Sequence, residues 1–98
     1  MITYKVWKYP APAEPGKKFS IEQACNWEPI HFAYQPSADC FQVWALIPDD
    51  GYGTHRRYFV ALMTGQTYKT TGRKTLRHIG TAMSPKGEFV LHLFEIED

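Results

Sequence analysis

The chain has 98 residues, 44% of them hydrophobic and 15% aromatic, and a formal net charge of +1 at pH 7. That is enough apolar mass to offset the ordering entropy of one compact core, and too little length for two, which excludes a disordered tail and a two-domain arrangement. A charge so near zero creates no whole-molecule field for nucleic acid or membrane, and no apolar run approaches the roughly 18 residues of a spanning helix, so the expected compartment is the cytosol and no membrane partner is expected.

The opening run alternates Ile2, Tyr4 and Val6 with Thr3, Lys5 and Trp7, a period of two in β-favouring residues, and reads as a strand through Tyr9. Pro10, Pro12 and Pro15 then remove ladder donors, and Gly16 permits a turn into the short apolar stretch Phe19 to Ile21. Ser20 to Trp27 is compatible with a capped helical turn. Pro29 to Tyr34 reads as a second strand and Phe41 to Ile47 as a third, apolar on both faces and therefore central. The cluster Pro48-Asp49-Asp50-Gly51-Tyr52-Gly53 is a dense turn signal, so Arg56 to Met63 is expected to return as the partner of the third strand in a hairpin with a long tip. Lys69 to Leu76 is compatible with another helical turn. Leu76 to Met83 and Glu88 to Ile96 flank Ser84-Pro85-Lys86-Gly87, whose Pro and Gly positions suit a type I turn, and form the clearest hairpin. The expected architecture is mostly β: a small antiparallel barrel or sandwich with at most one or two short helical turns, residues 1–98 forming a single domain. Cys25 and Cys40 fit buried thiols rather than a disulfide or a nucleophile.

Charge distribution carries the one functional signal. All ten acidic residues lie outside the segment Gly51 to Gly87, which holds Arg56, Arg57, Lys69, Arg73, Lys74, Arg77 and Lys86. Lys69, Arg73 and Lys74 fall in a Gly/Thr-rich connection, Thr64 to Thr75, where backbone N–H groups, hydroxyls and cations coincide. Such groups bind phosphate or carboxylate oxygens, because glycine allows close backbone approach and arginine offers a planar fork. Two outcomes stand side by side: an exposed anion-binding patch, or cations neutralised by the acidic C-terminus, with Arg77 beside Glu95 to Asp98. The candidate binding residues are Arg56, Arg57, Tyr68, Lys69, Arg73, Lys74 and Arg77, with Tyr68 available to stack on a base.

Catalytic patterns are not met. Gly65 and Gly72 are seven apart, so the phosphate-loop spacing fails, and there is no Gly-x-Ser-x-Gly and no Cys/His pairing. Asp49 and Asp50 are ordinary turn formers. His31, His55, His78 and His92 lack metal-ligand spacing, although His78 and His92 flank the last turn almost symmetrically, which keeps a small hydrolase or nuclease as a minor alternative. His92, between Val90 and Phe94, reads as a partly buried, hydrogen-bonded histidine. No cofactor is expected.

Ile2 with Lys5-Val-Trp-Lys-Tyr9, Val43-Trp-Ala-Leu46, Thr64-Gly-Gln66, His78-Ile-Gly-Thr81 and Phe89-Val-Leu-His-Leu-Phe-Glu95 together resemble a family of small uncharacterised bacteriophage and prophage proteins. The chain departs from that pattern in a longer stretch between Ile21 and Ile30 and an enlarged Thr67 to Thr75 loop. The resemblance implies a phage accessory setting and assigns no catalytic residue. It leads to the expectation of a non-enzymatic protein that counteracts host defence by stoichiometric binding of a host or defence protein or its nucleic-acid-binding surface. A homo-oligomeric sponge for a nucleotide-derived immune signal is the alternative, with Arg and Lys on phosphate and Tyr on the base. The apolar edge strand Ile2 to Val6 makes a second copy of the chain a further candidate partner.

Overall fold

The computed structural model describes residues 1–12, 14–49 and 51–98, and within them the chain forms seven strands and no helix. They are β1 (Thr3–Pro10), β2 (Phe19–Ala24), β3 (Glu28–Gln35), β4 (Cys40–Asp49), β5 (Thr54–Met63), β6 (Thr75–Met83) and β7 (Val90–Glu97). Two antiparallel sheets lie face to face, one in the order β1-β4-β3 and the other in the order β2-β5-β7-β6. The architecture is the sandwich form of the expected antiparallel fold, not a closed barrel.

β4 is central, as its doubly apolar pattern implies: Val43, Ala45 and Ile47 are buried against the second sheet, while Trp44 and Leu46 are half-buried on the outer face. From the second sheet, Ile21, Phe59, Ala61, Ala82, Leu91 and Leu93 fill the same core. Trp27, fully buried, closes the lower end where β2 passes to β3, with its ring 6.2 Å from that of Phe59. The upper end is framed by the β3–β4 turn, the segment after β1, the end of β5 and the β6–β7 turn.

Four local expectations are corrected. β4 and β5 do not form a hairpin: β1 and β3 already occupy both edges of β4, so the chain crosses to the other sheet, with Gly51 and Gly53 at φ 76 and 91°. Of the acidic pair assigned to that turn, Asp49 ends β4 and Asp50 lies outside the described residues. Ser20 to Trp27 is not helical, because Ile21 must point inward and Glu22 outward, the alternation of a strand paired with β5. Lys69 to Leu76 is likewise not helical: a single turn at Gly72 and Arg73, with the Lys74 N–H on the Thr71 carbonyl at 3.2 Å, leads into β6. Both cysteines are free, but they are half-buried rather than buried.

The β6–β7 hairpin is as expected, its turn closed by the Gly87 N–H on the Ser84 carbonyl at 2.8 Å. A bulge at Ile79 re-aims β6 and places Gly80 under β3. A Cβ there would lie 3.2 Å from Phe32 Cβ, with the Phe32 backbone behind it. The small residues Gly80 and Ala82 therefore let the two sheets close together at this edge. Gly80→Val is expected to destabilise the fold by about 1–3 kcal/mol through overpacking, read as a lower urea midpoint with an unchanged slope.

Candidate functional site

The inner face of the second sheet carries an ion cluster at its lower end. Register places Glu95 of β7 opposite both Phe59 of β5 and Arg77 of β6. Its carboxylate, 4% exposed as a residue, accepts from Arg57 Nη1 at 2.8 Å and from Arg77 Nη2 at 2.6 Å. Arg57 also donates to the Trp27 carbonyl from Nε at 3.1 Å and Nη2 at 2.8 Å, with its guanidinium 5.3 Å from the indole centroid. Arg77 reaches Glu97 as well, at 3.0 Å. Burial works against the Arg77 charge, yet the hydrogen bonds to Glu97 and Glu95 outweigh it and hold the group above its ordinary pKa. Arg56, on the opposite face of β5, pairs with Glu22 at 3.3 Å and donates to Ser20 at 2.9 Å. All three strand arginines of the acid-free segment therefore meet carboxylates, two of them from the C-terminal strand.

The remaining candidates lie on the connection from β5 to β6. Both strands pair antiparallel with β7, so they run parallel with β7 between them, and residues 64–74 must travel the length of the sheet. The first sheet covers the inner face, so this strap crosses the outer one. Thr64 Oγ1 meets Nε2 of His92 on β7 at 2.8 Å. Beneath the strap, Val60 and Leu62 are buried although they stand outside the main core cluster. Gln66, Tyr68 and Thr70 alternate as half-buried residues with exposed Thr67, Lys69 and Thr71. Lys69 and Arg73 are exposed and Lys74 is half-buried, and none of the three has an ion pair among the described residues. The seven candidates are thus split between Arg57 and Arg77 in the inner-face cluster, Arg56 paired on the outer face of β5, and a cationic strap in which Tyr68 is half-buried.

His78 and His92 do not face each other directly, because the bulge shifts the register so that His92 opposes Thr81 and His78 opposes Phe94. Thr81 Oγ1 bridges them, at 2.9 Å from both His78 Nε2 and His92 Nδ1. With Thr64 on its other nitrogen, half-buried His92 is hydrogen-bonded at both ring positions. Among the described residues no group of three or more His, Cys, Asp or Glu is placed to hold a metal ion, and no helix is long and apolar enough to cross a membrane.

A groove of about 620 Å³ opens at the upper end, with Ala11, Phe41, Met63, Phe89 and Leu91 among its walls and Lys86 and Glu88 among its polar lining. Its wall residues come from four separate segments, so no local pattern announces it. Tyr34, also in its lining, donates its hydroxyl to the Asp39 carboxylate, and this hydrogen bond raises the phenol above its ordinary pKa.

Two measurements check this electrostatic layout. Glu95→Gln leaves Arg57 buried without its counter-ion and is expected to cost about 3–5 kcal/mol, the penalty for breaking a buried pair. Glu22→Gln, at a solvent-exposed pair, is expected to shift stability by less than about 1 kcal/mol. Urea unfolding of the two variants compares them directly. In an alkaline absorbance titration, Tyr34 is expected to ionise above the ordinary phenol range and to return to it in Asp39→Asn. Because the folded-state value is the raised one, any stability from this link is present below the unfolded phenol's pKa and lost as pH climbs past it.

No curated protein and no solved structure matches the sequence. A family match covers residues 2–98, essentially the whole chain, and by it the protein belongs to DUF7352, a domain of unknown function.

Proposed function

We propose that the protein is a non-enzymatic binding protein that works by stoichiometric occupation of an anionic partner surface, gripped by Lys69, Arg73 and Lys74. The observation that carries this reading is the division of the cations: Arg56, Arg57 and Arg77 meet carboxylates, while exposed Lys69 and Arg73 and half-buried Lys74 have no carboxylate partner among the described residues. A cation without a local anion retains its full capacity to pair with phosphate or carboxylate oxygens on a partner. The resemblance to small phage and prophage proteins supplies the setting, in which the partner is a host or defence protein in the host cytosol and binding blocks it.

A second reading is favoured by the upper groove. Its volume and aromatic walls suit a nucleobase, and Lys86 at its lining suits an attached phosphate. In that case the chain sequesters a nucleotide-derived signal.

Affinity capture from a bacterial lysate, with native mass spectrometry of the product, separates these. The first reading expects a protein partner at one-to-one stoichiometry, retained by Arg56→Ala and lost by the triple variant Lys69→Ala, Arg73→Ala, Lys74→Ala. A triple variant that still holds the partner, or a wild-type chain that captures none, contradicts it. A nucleotide that raises the melting temperature, worth about 2.7 kcal/mol at a hundredfold excess over Kd, and that fails to do so with Phe89→Ala, establishes the second reading instead.

A further inference from the structure

The edges of the two sheets are not alike. β3 is interrupted by Pro29 and a bulge at Ile30, β6 by the bulge at Ile79, and β2 has only six residues. Each is blunted against addition of another strand. β1 differs: eight residues pair with β4 in unbroken register, and its other edge is open. Both faces of its Thr3 to Lys8 stretch are exposed as well, and only Tyr9 packs on the core, where its hydroxyl accepts from Gln23 of β2. Trp7 is 58% exposed, on the inner side with Lys5, while Tyr4 and Val6 are 57% and 54% exposed on the outer side.

The direction of the backbone groups follows from one hydrogen bond. Ala11 N–H donates to the Phe41 carbonyl at 2.9 Å, continuing the register in which Pro10 opposes Gln42. In an antiparallel ladder alternate residues turn both backbone groups to the same neighbour. Thr3, Lys5, Trp7 and Tyr9 therefore turn theirs to β4, whereas Tyr4, Val6, Lys8 and Pro10 turn theirs to the open edge. Pro10 fits this assignment, because its missing N–H falls on the unpaired side.

We infer that β1 pairs antiparallel with β1 of a second copy, about a two-fold axis normal to the sheet at Val6, to make one continuous six-stranded sheet. A two-fold of this kind preserves the faces, so only residues of the same face can oppose one another. Centred on Val6, the pairing sets Tyr4 against the partner's Lys8 and Lys5 against the partner's Trp7, each twice. An ammonium then meets an aromatic ring at every charged position and no like charges meet. The open-edge groups of Tyr4, Val6 and Lys8 close about six inter-strand hydrogen bonds. Centring on Lys5 or Lys8 would oppose two ammonium groups, and centring on Trp7 would set Tyr4 against the partner's Pro10, which has no N–H to give.

The size of the molecule agrees. Its accessible surface is 6452 Å², whereas a folded monomer of 11.3 kDa is expected to show about 5,700 Å². The excess is close to the roughly 800 Å² per partner that a standard interface removes. The radius of gyration, 14.1 Å, likewise exceeds the roughly 12.6 Å of a compact chain of this length.

Sedimentation equilibrium and light scattering on the full chain test the pairing. The expected result is a mass twice that of one chain, reduced twofold by Val6→Pro, which removes an open-edge donor while leaving the β1–β4 ladder intact. Far-ultraviolet circular dichroism confirms that the variant is folded. Tyr4→Lys, which sets an ammonium against the partner's Lys8, is also expected to yield monomer, and adding Lys8→Glu is expected to restore the dimer. A wild-type mass of one chain, an assembly larger than two, or a folded Val6→Pro that remains dimeric would overturn the inference.

Discussion

The carboxylate of Glu95 is the constraint around which the lower half of the sandwich is organised. It is buried on the inner face of β7, where a lone charge would be prohibitively costly, so it requires cations from both flanking strands. Arg57 and Arg77 supply them, and Arg57 is held in turn by the Trp27 carbonyl. Trp27 anchors its own indole N–H on the His55 carbonyl at 2.8 Å, closing the end of the core. One acidic residue thus ties β5, β6 and β7 to the β2–β3 turn, and it pairs two of the strand arginines within the fold.

Chain connectivity then determines which cations stay available. Because β5 and β6 are parallel with β7 between them, their connection has to cross the sheet, and it covers a second apolar layer of Val60 and Leu62. Tyr68 and its inward neighbours secure the strap, and the outward positions are free of packing duty. Lys69 is at one of these, and Arg73 and Lys74 follow where the strap descends to β6. The same topology leaves β1 at the edge of the first sheet, where only Tyr9 reaches the second sheet, packing on the core and accepting from Gln23 of β2, so the molecule has a cationic strap and an open strand edge on different sides.

Much of the fold was legible because it rests on short-range patterns. The alternation of β1, the doubly apolar run of β4 and the Ser84 to Gly87 turn each imply their local structure. What could not be read was pairing between distant strands. Pro48 to Gly53 has the composition of a hairpin turn, and only the occupation of both β4 edges shows that it joins two sheets. Ser20 to Trp27 has too few apolar residues to separate a helical turn from a strand until β5 is beside it. Of the site, the neutralisation of Arg77 by the acidic C-terminal strand was anticipated from the last hairpin, whereas the burial of Arg57 depended on Trp27, thirty residues away in sequence. The upper groove left no sequence signal, since its walls converge only in three dimensions.

The proposed grip by Lys69, Arg73 and Lys74 assigns anion binding to the strap and not to the strand arginines. An amide NMR titration with tripolyphosphate as the probe examines it residue by residue. The expected result is a set of saturable shifts confined to residues 64–74, with the amides of Arg56, Arg57 and Arg77 unmoved. Shifts centred on those three arginines, or a spectrum that does not respond to the probe, would contradict it.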